Sequence, residues 1–198
     1  MLSDDQLEAL RPSLFSGHYN LLLGSGVSLD STDRFGNPLK SASDLTVELC
    51  NLKGVKATTS LSRVSSLLDS KETEKYLTQP YFGCRPGESL RRLTSFVWKA
   101  AFTFNIDDAL EGAYERVTHP KQVIESLNFE TAYKTAWTKK DLQIIHLHGF
   151  TREPDKGYIF STNDYSRVTR GLNAWMHVLS ELLASEPFII AGTSLRKR

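Results

Sequence analysis

The sequence predicts an α/β fold built on a doubly wound, mainly parallel sheet. Three observations carry this prediction. Short continuous apolar runs recur along the chain, as in strands buried on both faces. Helical patterns separate them, and strands alternating with helices are the signature of parallel crossover units. With 198 residues, 40% of them hydrophobic, the chain has the size of one domain around one sizeable core.

The elements follow in order. "YNLLLGSGVS" reads as a buried strand, Tyr19 to Leu23, entering a glycine turn. "SASDLTVELCNL" reads as a helix, with Ser41 or Ser43 as cap and Leu45, Leu49 and Leu52 at helical spacing. Residues 53–88 are polar and rich in Ser and Thr, with helical pieces at "LSRVSSLLDS" and "ETEKYL" and a turn at "CRPGES". "SLRRLTSFVWKA" is a helix feeding the strand "AAFTFN", and a helix begins at "DALEGAYERV". The strand "QIIHLHG" leads into the loop "FTREPDKGYIFSTNDYSRV", in which Ser161 or Thr162 caps a helix. An amphipathic helix, "LNAWMHVLSELLAS", and a strand, "EPFIIAGTSL", complete the order. No helix follows that strand to cover the sheet, so the chain is expected to be the N-terminal part of a longer protein.

Composition excludes several function classes. Twenty-four Lys and Arg against 23 Asp and Glu leave a formal charge of +1, so no global field draws in nucleic acid or an anionic membrane. The two cysteines, Cys50 and Cys84, are too few for a disulfide framework or a four-thiolate zinc ribbon, and they suit a reducing compartment. "MLSDDQLEAL" is acidic where a secretion signal is basic, and no run approaches the roughly 20 apolar residues of a membrane span. A cytoplasmic location is expected.

In open parallel sheets, ligands bind beyond the carboxyl ends of the strands. Four polar clusters fall there: "GSGVS" at 24–28, "FNIDD" at 104–108, "HGF" at 148–150 and "GTSL" at 192–195. Gly24 and Gly26 permit a sharp turn and close approach, and the hydroxyls of Ser25 and Ser28 with free amides can hold a diphosphate; a simple tight turn explains the same residues. Leu29 stands where the dinucleotide fingerprint has its third glycine, which disfavours an ordinary dehydrogenase. Asp107 or Asp108 can cap the following helix, while Asn105, ahead of the cap, can donate to and accept from a ligand. His146 and His148 share a strand face, but no nearby cluster supplies a third metal ligand, so no metal is expected. His146, deeper in the strand, reads as a hydrogen-bonded core residue; His148, at the strand end, is either a packed histidine or a base.

Taken together, "GSGVS", "TFNIDDALE", "IIHLHG" and "PFIIAGTSL" resemble, in that order, the Gly-Ala-Gly-x-Ser, Thr-Gln-Asn-Ile-Asp, His-Gly and Gly-Thr-Ser motifs of the sirtuin NAD-binding domain. The resemblance spans residues 19–195 and implies a Rossmann-like, sirtuin-type fold. The two cysteine pairs of the deacylase zinc module and the Gly-Ile-Pro-Asp-Phe-Arg loop are missing, so the chain is expected to lack the zinc ribbon. In "LLLGSGVS", the Asn-x-Asp of "FNIDD", "HLHG" and "YIFSTNDYSR" it is similar instead to the sirtuin-like effector domains of bacterial anti-phage defence proteins, which hydrolyse NAD. That resemblance implies NAD as substrate, with Gly24, Ser25, Gly26 and Ser28 on its diphosphate and nearby ribose and Thr193 and Ser194 on the same molecule. It makes Asn105 and His148 a catalytic pair and sets Asp107 beside the nicotinamide carboxamide. It further implies a homo-oligomer and a C-terminal sensor domain or partner protein. A protein deacylase and a non-catalytic nucleotide-sensing or assembly module are the rival readings.

Overall fold

The computed structural model describes residues 3–132, 138–160, 164 and 174–193. At its centre are five strands: β1 (Asn20–Leu23), β2 (Ala101–Thr103), β3 (Val123–Asn128), β4 (Asp141–His146) and β5 (Phe188–Ala191). They pair in the order β3-β4-β2-β1-β5, every pair parallel. The expected α/β architecture is therefore present.

Because side chains alternate along a strand, each central strand feeds two cores. Leu21, Leu23, Ala101, Leu142 and Ile144 pack into one cluster, and Leu22, Phe102, Ile145 and Leu127 into the other. The first is covered by α2 (Ala42–Lys53), α3 (Leu61–Ser65), α5 (Glu88–Leu93) and α6 (Ala109–Glu115). On the second face α7 (Ala174–Ser185) sets Trp175 and Leu179 against Phe102 and Leu22. Burial on both faces explains why these strands are continuous apolar runs rather than alternating ones.

Capping chemistry fixes the helix starts. Ser41 Oγ accepts the Asp44 amide at 3.1 Å, and Gly54, at φ +62°, ends α2. Leu45 and Leu49 of α2 are buried with Cys50, whereas Leu52, expected on the same face, is exposed. The polar stretch after α2 contains α3, then α4 (Ser70–Thr73), which runs into a π-turn at Glu74–Thr78. Two elements escaped the sequence reading. The acidic N-terminus is a helix, α1 (Asp4–Phe15), started by a Ser3–Gln6 capping box. β3 is an edge strand whose first residues, Val123 and Glu125, are exposed and whose apolar run is broken by Glu125 and Ser126.

Two expectations fall outside the described residues: the Ser161 or Thr162 cap, and Ser194. Among the described residues, no helix is long and apolar enough to cross a membrane, and no group of three or more His, Cys, Asp or Glu side chains could hold a metal.

Candidate functional site

β1, β2 and β4 end side by side, and the loops that leave them enclose a cavity of about 390 Å³. Ser25 and Ser28 reach it from the loop after β1, Asn105 and Asp107 from the loop after β2, and His148 from the turn after β4. The opposite wall is largely apolar, with Leu39 and Leu45 from the α2 region, Leu61 from α3, and Tyr81, and it also carries Lys40, Ser60 and Ser62. The cavity thus lies where a parallel sheet is expected to bind its ligand. A few polar groups converge on an otherwise hydrophobic lining, the usual make-up of a small-molecule site.

The polar residues form one chain of hydrogen bonds. Asn105 Nδ2 donates to Ser28 Oγ at 3.0 Å, Ser28 Oγ donates to Asp107 Oδ1 at 3.2 Å, and the same Oδ1 accepts the Ala109 amide at 3.1 Å. Asn105 lines the cavity, and its Oδ1 is buried with no hydrogen-bond partner among the described residues. A buried acceptor without a donor costs about 1–3 kcal/mol. Asp107 is 7% exposed, and burial pushes its pKa up to about 6 despite the lowering effect of its hydrogen bonds.

The capping expectation is divided between the two aspartates. Asp107 holds the first amide of α6. Asp108 is turned away, with Oδ1 and Oδ2 accepting the Cys84 and Gly83 amides at 2.8 and 3.0 Å and Oδ2 paired to Arg152 Nε at 2.9 Å. It braces the turn behind the site instead.

The two histidines separate because β4 stops at His146. Beyond it the chain turns, and His148 lies between aromatic rings, with centroids 5.0 Å from Phe104 and 6.1 Å from Phe160. Burial there pushes its pKa down to about 4, only partly offset by a hydrogen bond to the Phe104 backbone, so the imidazole is neutral near pH 7. Gly149, at φ +101°, makes the turn possible: a Cβ would sit 2.5 Å from the Gly157 carbonyl oxygen. His146 points into the fold as expected of a core residue. Its Nε2 is 2.8 Å from Glu111 Oε1, its Nδ1 is 3.1 Å from the Asn105 carbonyl oxygen, and its ring stacks on Phe150.

The glycine turn also has a structural cause beside the expected ones. The Gly24 amide donates to Ala191 O at 3.0 Å and the Gly26 amide to Gly192 O at 2.9 Å. A Cβ on Gly24 would lie 2.7 Å from Gly192 O, and one on Gly26 2.8 Å from Gly192 Cα. These glycines let the β1 loop close on the end of β5, so the structural need is backbone against backbone. Thr193 packs on Gly24, and its Oγ1 is buried with no partner among the described residues.

Sequence reasoning missed Glu111, a carboxylate 1% exposed that takes hydrogen bonds from His146 and, at 2.7 Å, from Ser126 Oγ. The signal was its position four residues after Asp107, with apolar Leu110, Ala113 and Tyr114 as neighbours on α6. It also missed the apolar wall from α2, α3 and Tyr81.

Comparison with known families finds a match to a family described as SIR2-like domain over residues 99–198, just over half of the chain. No curated protein matches the chain.

Proposed function

Since the chain belongs to the SIR2-like domain family, which implies use of NAD, we propose that it is an NAD glycohydrolase, cleaving the nicotinamide–ribose bond and passing the ribose to water. The observation that carries the reading is the pairing in one cavity of a buried carboxamide with an unpartnered oxygen, Asn105, and a neutral imidazole, His148.

Breaking this bond develops positive charge on the sugar, so the protein's task is to position the substrate, stabilise that charge and orient water. Ser28 holds the Asn105 amide group, which commits Oδ1 to accept a hydrogen bond from the cavity; a water donating there is oriented. His148 is uncharged at neutral pH and so has a lone pair with which to take a proton from that water or from a ribose hydroxyl. The Asp107 carboxylate, buried beside them, puts negative charge near the carbon that becomes cationic and can accept from the nicotinamide carboxamide. Ser25, Ser28 and Thr193 supply hydroxyls at the ends of β1 and β5 for the diphosphate and ribose. Phe104, Phe160 and the leucines of the far wall exclude bulk water.

Depletion of NAD as an anti-phage effector, in a cytoplasmic homo-oligomer joined to a sensor domain or partner, belongs to the same reading; its support is the likeness of "LLLGSGVS", "HLHG" and "YIFSTNDYSR" to such effectors. The test is incubation with NAD alone. Release of nicotinamide and ADP-ribose supports the proposal. Release that requires an acylated peptide replaces it with deacylation, and binding without product replaces it with a sensing module.

A further inference from the structure

Behind Asn105, on the side away from the cavity, four elements meet in one buried polar cluster. His146 on β4 is flanked by two acceptors, the Asn105 carbonyl oxygen at Nδ1 and the Glu111 carboxylate at Nε2. Glu111 on α6 accepts a second hydrogen bond from Ser126 on β3. A carbonyl oxygen and a carboxylate can only accept, so both contacts are hydrogen bonds only when the ring carries a proton on each nitrogen. The other ionisable group facing the ring is Asp107, from the loop after β2, and it too favours the charged form; Phe150 covers a ring face.

We propose that Glu111 and His146 are a positioning pair for the active site: an imidazolium locked between the Glu111 carboxylate and the Asn105 carbonyl fixes the Asn105 peptide so that its carboxamide meets the cavity. The pair touches neither water nor substrate. It acts through Asn105, and the proposal rests on the NAD-cleaving role given to that residue.

The geometry assigns a cause to the pair's burial. Asn105 follows a strand of only three residues, and among the described residues its side chain is held on one side by Ser28 alone. A hydrogen bond to its carbonyl from the opposite side restrains the peptide from which that side chain projects. An ionised donor makes this bond about twice as strong as a neutral one, and a small misplacement of a catalytic group can cost about a hundredfold in rate. A buried ion pair is a poor source of stability, since apolar residues of the same volume often serve as well, which leaves specificity of position as its use.

The sign of the pH effect follows. Burial alone would depress the His146 pKa, but Glu111, with the Asn105 carbonyl and Asp107, outweighs it and the value is raised. The positioning hydrogen bond is complete below that raised pKa and loses its charge as pH rises through it. Glu111→Gln removes the nearest counter-charge, leaves only the Asn105 carbonyl and Asp107 against burial and moves the titration of His146 to lower pH by about one to three units.

The experiment records two signals in wild type and Glu111→Gln across pH 5–10 (about the working range for such titrations): ring shifts of His146, and the backbone ¹⁵N shift of Ile106, whose amide shares the peptide with the Asn105 carbonyl. The Ile106 shift is expected to titrate with His146 and to move with it in the variant. The alkaline limb of kcat for NAD cleavage is expected to move by the same amount, with KM within about twofold. The double variant Glu111→Met with His146→Leu, which removes both charges together, is expected to fold and to lose about ten- to a hundredfold in kcat at unchanged KM. An Ile106 shift indifferent to His146, or a kcat limb that stays in place while His146 moves, overturns the proposal. A wild type that leaves NAD intact instead defeats the reading of the cavity as an NAD-cleaving site, while the Ile106 titration still decides whether the pair holds Asn105.

Discussion

The Asn105 side-chain amide donates to Ser28 Oγ at 3.0 Å, and this single contact determines which end of the carboxamide is left for chemistry. With Nδ2 engaged, the unpartnered Oδ1 can only accept. Replacing Asn105 by Ala removes that acceptor, and replacing His148 by Ala removes the base. Each is expected to lower kcat for nicotinamide release from NAD by about a hundred- to ten-thousandfold. Asn105→Asp offers an acceptor but brings a second carboxylate beside Asp107, so it is expected to rescue only part of the loss. Rates close to wild type in both alanine variants would remove the pair from the mechanism.

Ser28 also links Asn105 to Asp107, which makes the state of that carboxyl a switch on the network. Asp107, raised to about 6 by burial, is protonated below that pH and then no longer supplies negative charge beside the ribose. The rate is expected to fall on the acid side with a midpoint near pH 6. Asp107→Asn is expected to abolish this limb and to lower the plateau by about ten- to a hundredfold. Rate profiles of the two proteins from pH 5 to 8 make the comparison, and an acid limb that survives in the variant would assign it to another group.

Stability carries the same groups with opposite signs. His148 has a folded pKa near 4, below its ordinary value of 6.5, so the unfolded chain binds more protons between those pH values and stability is lost as pH falls through the window. At about 1.4 kcal/mol per unit this amounts to about 3 kcal/mol. Asp107 has a raised folded pKa, so its contribution is complete below 3.8 and is lost as pH rises through about 6. Between about pH 4.5 and 6 the two slopes oppose each other, and urea unfolding is expected to show a shallow dependence. His148→Gln removes the first slope alone. In that variant stability is expected to rise as pH falls from 6 to 4.5; an unchanged profile would mean that the imidazole is not desolvated as its aromatic neighbours require.

How much of this was legible follows from the residues themselves. β1, β2 and β4 were readable because Leu21, Phe102 and Ile144 sit in apolar runs sandwiched between layers, and β5 because Phe188 to Ala191 form an unbroken apolar run even though Ile190 is exposed at the sheet edge. β3 was not, because Val123 and Glu125 are exposed at the sheet edge and Ser126 and Asn128 are polar, which leaves no uninterrupted run. The convergence of Ser25, Ser28, Asn105, Asp107 and His148 on one cavity followed from strand ends alone. The partners of those residues did not, since nothing local in "DALEG" or "IIHLH" says that Glu111 and His146 face each other across a helix and a strand. The glycines were visible as a turn, but their reason lies on β5, more than 150 residues away in the chain.

That reason separates a crowded glycine from one that needs only backbone freedom. Gly192, at φ +69°, has its Cβ direction blocked: a methyl there would crowd the Val27 amide nitrogen and sit 2.6 Å from the Gly24 carbonyl oxygen. Gly54, at φ +62° in the left-handed region, has a comparable φ, yet nothing lies within 4 Å of its Cβ position. Replacement of Gly54 by Ala therefore costs only the left-handed backbone, about 1–2 kcal/mol. Gly192→Ala pays the same and must also push the end of β5 from the β1 loop, adding about 1–3 kcal/mol in the manner of an overpacked core. Because Gly24 and Gly26 hold Ser25 and Ser28 through their contacts with Ala191 and Gly192, the displacement is also expected to weaken NAD binding, while Gly54→Ala leaves it within about twofold. Thermal melts and NAD titrations of the two variants side by side measure both effects. Equal destabilisation in the pair would mean that the β1 loop and β5 yield to one another freely, and that the glycines serve the turn alone.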